Sequence, residues 1–373
     1  MKIKHANLVL ADGIIQTGLL IEDGLIKSID KQTEGLDLSG YYVVPGFIDQ
    51  HIHGSANADT MDGNQAALTR LAVSLLKEGT TSFLPTTMTG DPDVILQALK
   101  NVKSYPNTEG ARVVGAHLEG PFINEKAIGA QPLKYVKKPS IEAFKPWFDI
   151  GVIKVITLAP EIEGAQSLIE FCRKYDIVSS IGHTKATYQQ VLDATKWGVH
   201  QVTHGYNAMT PLHHRDIGVV GAMLLEKNLY AELICDGIHV SKEAVKLLYQ
   251  NKGRDGIILI TDSMRAKYMP EGESELGGQT VYIKDNEARL ADGTLAGSIL
   301  KMNDAVKNMM TFCQIPLYDA VYMASTMPAK NLNLSNKGLI KVGYDADLTV
   351  LDQDLNVVMT IVAGQIRYQK ESK

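Results

Sequence analysis

The chain predicts an α/β fold: a (β/α)8 barrel of the TIM type carrying a small β-sandwich made from both chain termini. Three observations predict it. Eight short apolar runs alternate with amphipathic stretches through the middle of the 373 residues, both ends read as short strands and turns, and histidine or carboxylate side chains recur where the apolar runs stop. Strand and helix alternating eight times over roughly 250 residues is the signature of such a barrel. An open doubly wound sheet is the alternative, and its Gly-x-Gly-x-x-Gly turn after a first strand is not found.

Residues 6–10, 14–21, 25–29 and 41–44 read as strands, with Asp12-Gly13 and Asp23-Gly24 as hairpin turns. These cannot close a core by themselves. Residues 346–351, 357–362 and 365–368 also read as strands, so we expect 1–45 and 341–373 to form one small sandwich domain and 46–340 the barrel. The barrel strands are expected at 46–51, 81–85, 113–118, 153–158, 178–181, 201–203, 231–234 and 256–260. Helical periodicity falls at 63–78, 91–103, 165–175, 187–195, 241–250, 301–313 and 318–324. The stretch 264–298, rich in Gly and Glu, is expected to form a hairpin over the barrel mouth.

A formal net charge of −5 argues against a nucleic-acid partner, which calls for clustered Lys and Arg. The N-terminal apolar run is too short for a signal peptide, and no later run reaches membrane-spanning length. Cys172, Cys235 and Cys313 lie far apart and form no Cys-x-x-Cys pair, which fits a reducing cytoplasm.

The chemistry gathers at the strand ends. His51 and His53 are two apart on an extended segment, so both project to one face and can hold one cation. A His-x-His pair alone is weak, since loop histidines occur by chance. It gains weight from Glu119 after the third run, His183 after the fifth, His204 after the sixth and Asp262 after the eighth, because a barrel brings all these ends to one mouth. Imidazole and carboxylate suit zinc, iron, manganese or cobalt. Four histidines and two carboxylates suffice for two divalent ions sharing a hydroxide, formed because bound water has its pKa lowered to roughly 7. Hydrolysis is the expected chemistry, with Asp262 moving the proton. His5 and His200 read as structural, and His117 as either a group that orients a ligand or a packed barrel histidine. On the loop after the sixth run, Arg215 offers a planar donor fork for phosphate and Asn207 a polar contact. A surface arginine is the plain alternative.

Pro45-Gly46-Phe47-Ile48-Asp49, His117-Leu118-Glu119-Gly120-Pro121-Phe122, Gly182-His183-Thr184, Thr203-His204-x-x-Asn207-Ala208-Met209, Asp236-Gly237-x-His239, Thr261-Asp262-x-Met264 and Leu295-Ala296-Gly297-Ser298 run through almost the whole chain. In that order they resemble the N-acetylglucosamine-6-phosphate deacetylases of the amidohydrolase superfamily. The resemblance implies a metal held by Glu119, His183 and His204, and Asp262 as the catalytic carboxylate. Some members carry Gln-x-Asn in place of His51-Ile52-His53 and bind one metal; with both histidines this chain resembles the two-metal kind, with Glu119 bridging. It further implies substrate contacts from Asn207, Ala208, His239, Leu295, Ala296 and Gly297, a phosphate contact from Arg215, and a homodimer completing the phosphate site. Where the family commonly has Gly-Ala-His, this chain has Gly129-Ala130-Gln131, and Gln131 can donate a hydrogen bond but carries no charge. The expected reaction is release of acetate from N-acetylglucosamine 6-phosphate. The galactosamine epimer, a cyclic amide, or binding of a sugar phosphate without turnover are the alternatives.

Overall fold

Eight parallel strands run where the apolar runs place them, in a computed structural model that describes residues 1–371. They are β1 Phe47–Ile52, β2 Thr80–Thr87, β3 Ala116–Glu119, β4 Ile153–Leu158, β5 Val178–Ile181, β6 Gln201–Val202, β7 Tyr230–Ile234 and β8 Ile257–Ile260. Each pairs in parallel with the next, from β1 through to β8. The seam between β8 and β1 closes at the C-terminal rim, where Asp262 N donates to His51 O (2.9 Å) and His53 N to Ser263 O (2.9 Å). That seam therefore joins two of the strand ends that carry site residues. Strands buried on both faces read as unbroken apolar runs, and Ile257–Ile260 is buried throughout. The run expected at 113–118 is split in two, because Gly115 at φ +150° breaks the strand between Arg112–Val113 and Ala116–Glu119.

Polar caps set where helices begin. Asn64, Asp91, Thr187 and Ser241 each accept a backbone N–H at the start of Gln65–Leu75, Pro92–Ser104, Tyr188–Trp197 and Lys242–Lys252. Three helices are not visible as a sequence period. Gly218–Leu225 is apolar on nearly every side, so it shows no polar face; Ile141–Phe148 contains Pro146; Thr326–Asn331 is short and contains Pro328.

Strands from both termini form one eight-stranded sheet. Its edge strand Leu25–Asp30 returns to the C-terminal segment through a Leu25–Asp345 bridge and a 2.9 Å bond from Ile26 N to Tyr344 O. The sheet thus wraps its own core of Ile3, Leu8, Leu19, Ile26, Leu348, Val350 and Ile361. Strand alternation divides the labour: Val43 joins this core and its neighbour Val44 the barrel core. The stretch expected as a hairpin has three strands, Gly272–Leu276, Gln279–Lys284 and Glu287–Arg289. Gln279 donates to Ala130 O at 2.7 Å, which fastens this flap beside the barrel mouth.

Candidate metal centre

Every strand end that carries a predicted ligand delivers it to one buried cluster. Glu119 ends β3 at its centre: Oε1 lies 3.2 Å from both His183 Nε2 and His204 Nε2 and 3.5 Å from His51 Nε2, while Oε2 lies 3.2 Å from His53 Nε2. Asp262 Oδ1 is 3.2 Å from His53 Nε2 and 3.4 Å from His51 Nε2. The donors form two groups, His51–His53–Asp262 and Glu119–His183–His204, each with ligand atoms within 4.8 Å of one another. Three of the six take left-handed backbone, His183 at φ +47°, His204 at +31° and Asp262 at +48°. Such φ values in residues with a side chain are strained and cluster at functional sites. Gly120 follows Glu119 at φ +70°, where a Cβ would stand 2.1 Å from Thr89 Oγ1, so the turn after β3 admits no side chain.

These residues fit a cation. His51 Nε2 is buried, faces two carboxylates, and has no hydrogen-bond partner. The opposite ring nitrogens are held: His53 Nδ1 faces Thr86 O (3.2 Å), His183 Nδ1 faces Ala127 O (2.9 Å) and His51 Nδ1 faces Glu232 Oε2 (3.0 Å). With the proton on Nδ1, each Nε2 is left as a donor of its lone pair, the arrangement common around metal-ligating histidines. Burial opposes charge here, yet His51 and His53 beside Asp262 outweigh it and hold that carboxyl down to about 2. Burial likewise disfavours an ionised Glu119, and His51, His183 and His204 together hold it well below the usual carboxylate range. The reciprocal effect lifts His53 to about 10 against its burial. Two ionised carboxylates among four imidazoles make a place for positive charge, which metal ions supply as well as protons do. His117 is different: burial and the neighbouring His51 push its pKa well down, and its Nε2 sits 2.7 Å from Thr157 Oγ1. It packs edge-on against His51 with ring centres 4.5 Å apart.

Five of the six, His53, Glu119, His183, His204 and Asp262, form the floor of a cavity of about 370 Å³, in the range that holds small ligands, with His51 fully buried behind them. Asn207, Ala208, His239, Ala130, Gln131, Leu295 and Gly297 line it. His239 Nδ1 is held 2.6 Å from Asp236 Oδ2, an orienting pair at the end of β7.

The Amidohydrolase family profile matches residues 42–367. The chain is 45% identical over 363 residues to the N-acetylglucosamine-6-phosphate deacetylase of Lysinibacillus sphaericus, covering 95% of this chain and 94% of that one. The chain belongs to the amidohydrolase family. An N-acetylgalactosamine-6-phosphate deacetylase of Escherichia coli O157:H7 is 36% identical over 93% of this amidohydrolase and 94% of its own length. The crystal structure of the Thermotoga maritima N-acetylglucosamine-6-phosphate deacetylase superposes with a TM-score of 0.92 at 37% identity, covering 99% of this chain and all of that one (100%).

Within this amidohydrolase two of the residues singled out in sequence stand apart from the cavity wall. Arg215 is exposed on the loop after β6, with Nη1 2.8 Å from His214 Nε2, and does not line the cavity. Ala296 is fully buried behind Leu295 and Gly297, bonded to Ala288 O through its N–H (2.9 Å). Gln131 is engaged inward: its amide donates to Glu119 Oε2 at 2.6 Å and its carbonyl accepts from Thr89 N at 2.8 Å. Lys126 and Lys185 line the cavity and have no motif to announce them. Glu232 was equally hidden, although a carboxylate inside the apolar run Tyr230–Ile234 is a visible anomaly.

Proposed function

We propose that this amidohydrolase hydrolyses the acetamide of N-acetylglucosamine 6-phosphate to glucosamine 6-phosphate and acetate. The observation that carries the reading is the meeting of His53, Glu119, His183, His204 and Asp262 at the floor of a sugar-sized cavity, with His51 buried behind them. Relatives that act on amino-sugar phosphates match over nearly the whole chain. Two divalent ions, zinc, iron or manganese, would sit in the His51–His53–Asp262 and Glu119–His183–His204 groups, with Glu119 between them. When bound, such ions lower the pKa of water and polarise a carbonyl oxygen.

The residues of the chain do the rest. Asp262 accepts a proton from water as its oxygen bonds to the acetyl carbon, and returns one to the nitrogen as the C–N bond breaks. His239, steadied by Asp236, holds the substrate near the carbonyl, and Asn207, Ala208, Leu295 and Gly297 fix the ring. Lys126 and Lys185 give the cavity wall the positive charge that a phosphate calls for. Arg215 reaches the phosphate in a homodimer in which a second copy packs over its exposed loop.

Acetate release from N-acetylglucosamine 6-phosphate, its galactosamine epimer and unphosphorylated N-acetylglucosamine tests this in metal-loaded protein. Highest kcat/KM on N-acetylglucosamine 6-phosphate is expected. No acetate from any of the three would end the proposal. The match to an N-acetylgalactosamine-6-phosphate deacetylase favours that epimer as the second reading, and a higher kcat/KM on it would select it.

A further inference from the structure

Glu232 lies in the middle of β7, fully buried inside the barrel, and its two oxygens keep different company. Oε1 accepts from the amides of Gln50 (2.7 Å) and Gln201 (2.9 Å). Oε2 faces His51 Nδ1 at 3.0 Å, with the backbone N–H of His204 at 3.3 Å. The amides are not free to turn. Asn331 donates to both glutamine carbonyls, 3.0 Å to Gln50 and 2.6 Å to Gln201, so their NH2 ends must point at Glu232. Oε1 is therefore saturated by donors, and Oε2 is left to accept from the one ring atom beside it. When His51 gives up its second proton to an ion, the one it keeps is held on Nδ1, and the Nε2 lone pair is turned toward Glu119 and Asp262, whose oxygens lie 3.5 and 3.4 Å away.

The other held histidines lean on backbone carbonyls, Thr86 O for His53 and Ala127 O for His183. Among the four histidines of the cluster, His51 is the one whose Nδ1 faces a carboxylate. A buried carboxylate behind a ligating imidazole fixes its tautomer and strengthens it as a donor. The trio His51–His117–Glu232 is also compact. It makes a poor cation site of its own, because His117 is bonded to Thr157 and Glu232 to two amides.

We propose that Glu232 is a positioning residue that presents His51 through Nε2 and so sets the affinity of the His51–His53–Asp262 position for its ion, leaving the Glu119–His183–His204 position unaffected. The proposal rests on the reading of the cluster as a two-ion centre. Wild type, Glu232→Gln and Glu232→Asp are reloaded with zinc and dialysed against graded chelator, and zinc per chain is measured by elemental analysis. Wild type keeps two ions. In Glu232→Gln one ion keeps its chelator resistance, and the other is lost at a free zinc concentration about ten- to a hundredfold higher than in wild type. Glu232→Asp keeps the charge but draws the oxygen back from Nδ1, and its loss falls between. In the zinc-loaded protein, ¹⁵N spectra show His51 as an Nδ1–H imidazole bound through Nε2 in wild type, and in Glu232→Gln that signal disappears at the chelator concentration that removes the first ion.

Equal retention of both ions in folded Glu232→Gln overturns the proposal. Loss of both ions together also overturns it, since Glu232 would then act on the whole core. Should Glu232→Gln fail to fold, Glu232→Asp decides by the same two measurements, with unchanged zinc retention and an unchanged His51 signal counting against. Wild type that binds no zinc sinks the metal-centre reading and this proposal with it; two ions in wild type and an indifferent Glu232→Gln sink the proposal alone.

Discussion

The floor of the cavity and its outer wall are built differently. On the floor, each candidate ligand is buried, and most are steadied from behind, His51 by Glu232, His53 by Thr86, His183 by Ala127 and Glu119 by Gln131. Toward the outside, Lys126, Lys185 and Arg215 are exposed long side chains. The contrast teaches where one chain suffices. Chemistry needs groups fixed to within a fraction of an ångström, which strand ends of a barrel supply. On the proposed reading, a charged, solvated phosphate is met instead by exposed cations, from this chain or from a second copy.

The sharpest way to break this comparison is to strike the group common to both halves of the floor. Glu119→Gln keeps the shape but removes the charge that faces all four histidines. Elemental analysis should find that it loses metal from both positions, and acetate release should fall to background; a variant retaining two ions would show that Glu119 does not join the halves. Asp262→Asn should separate binding from chemistry. It leaves the other five donors in place, and turnover should drop by about a hundredfold or more, the usual loss for a general acid/base, while most of the metal stays. Near-normal turnover would remove Asp262 from proton transfer.

The same division governs what could be seen in the sequence. A candidate ligand at a strand end announces itself, because the apolar run before it marks where the mouth must be; His51, Glu119, His183, His204 and Asp262 are all legible as candidates in this way. The support behind them was not. Gln50, Gln201, Glu232 and Asn331 meet across separations of up to 281 residues, and nothing local in the chain predicts that meeting. Helix Gly218–Leu225 was hidden for a related reason, being buried on nearly all sides and so lacking the polar face that makes a period visible. The exposed cations of the wall are the part that sequence pattern constrains least. Arg215 stood out as a phosphate fork, yet exposed residues are not tied by packing to any one place, whereas Lys126 and Lys185 reach the cavity from loops without a recognisable pattern.

Gln131 sits where floor and wall meet, so its replacement tests which side it serves. Gln131→Leu removes a 2.6 Å bond to the carboxylate of Glu119. A hydrogen bond to a charged group is worth about 1.5–3 kcal/mol. Turnover should therefore fall on phosphorylated and plain N-acetylglucosamine alike, by about tenfold or more. Loss confined to the phosphorylated substrate would place Gln131 on the wall instead.

The smallest effects belong to the wall itself. Arg215→Ala and Lys185→Ala should raise KM for N-acetylglucosamine 6-phosphate by roughly three- to tenfold with kcat nearly unchanged, since a single exposed charge pair contributes on the order of 1 kcal/mol. Unphosphorylated substrate should be indifferent. Because these cations are exposed, the difference should shrink as salt is raised and the charges are screened within about 10 Å at 0.1 M. Arg215 should show one dependence that Lys185 does not. If a second copy is needed to bring it to the phosphate, the KM of wild type should rise on dilution below the dimer dissociation constant, and Arg215→Ala should lose that dependence. A KM independent of protein concentration, in a range where light scattering shows the dimer dissociating, would mean that the wall is complete within one chain.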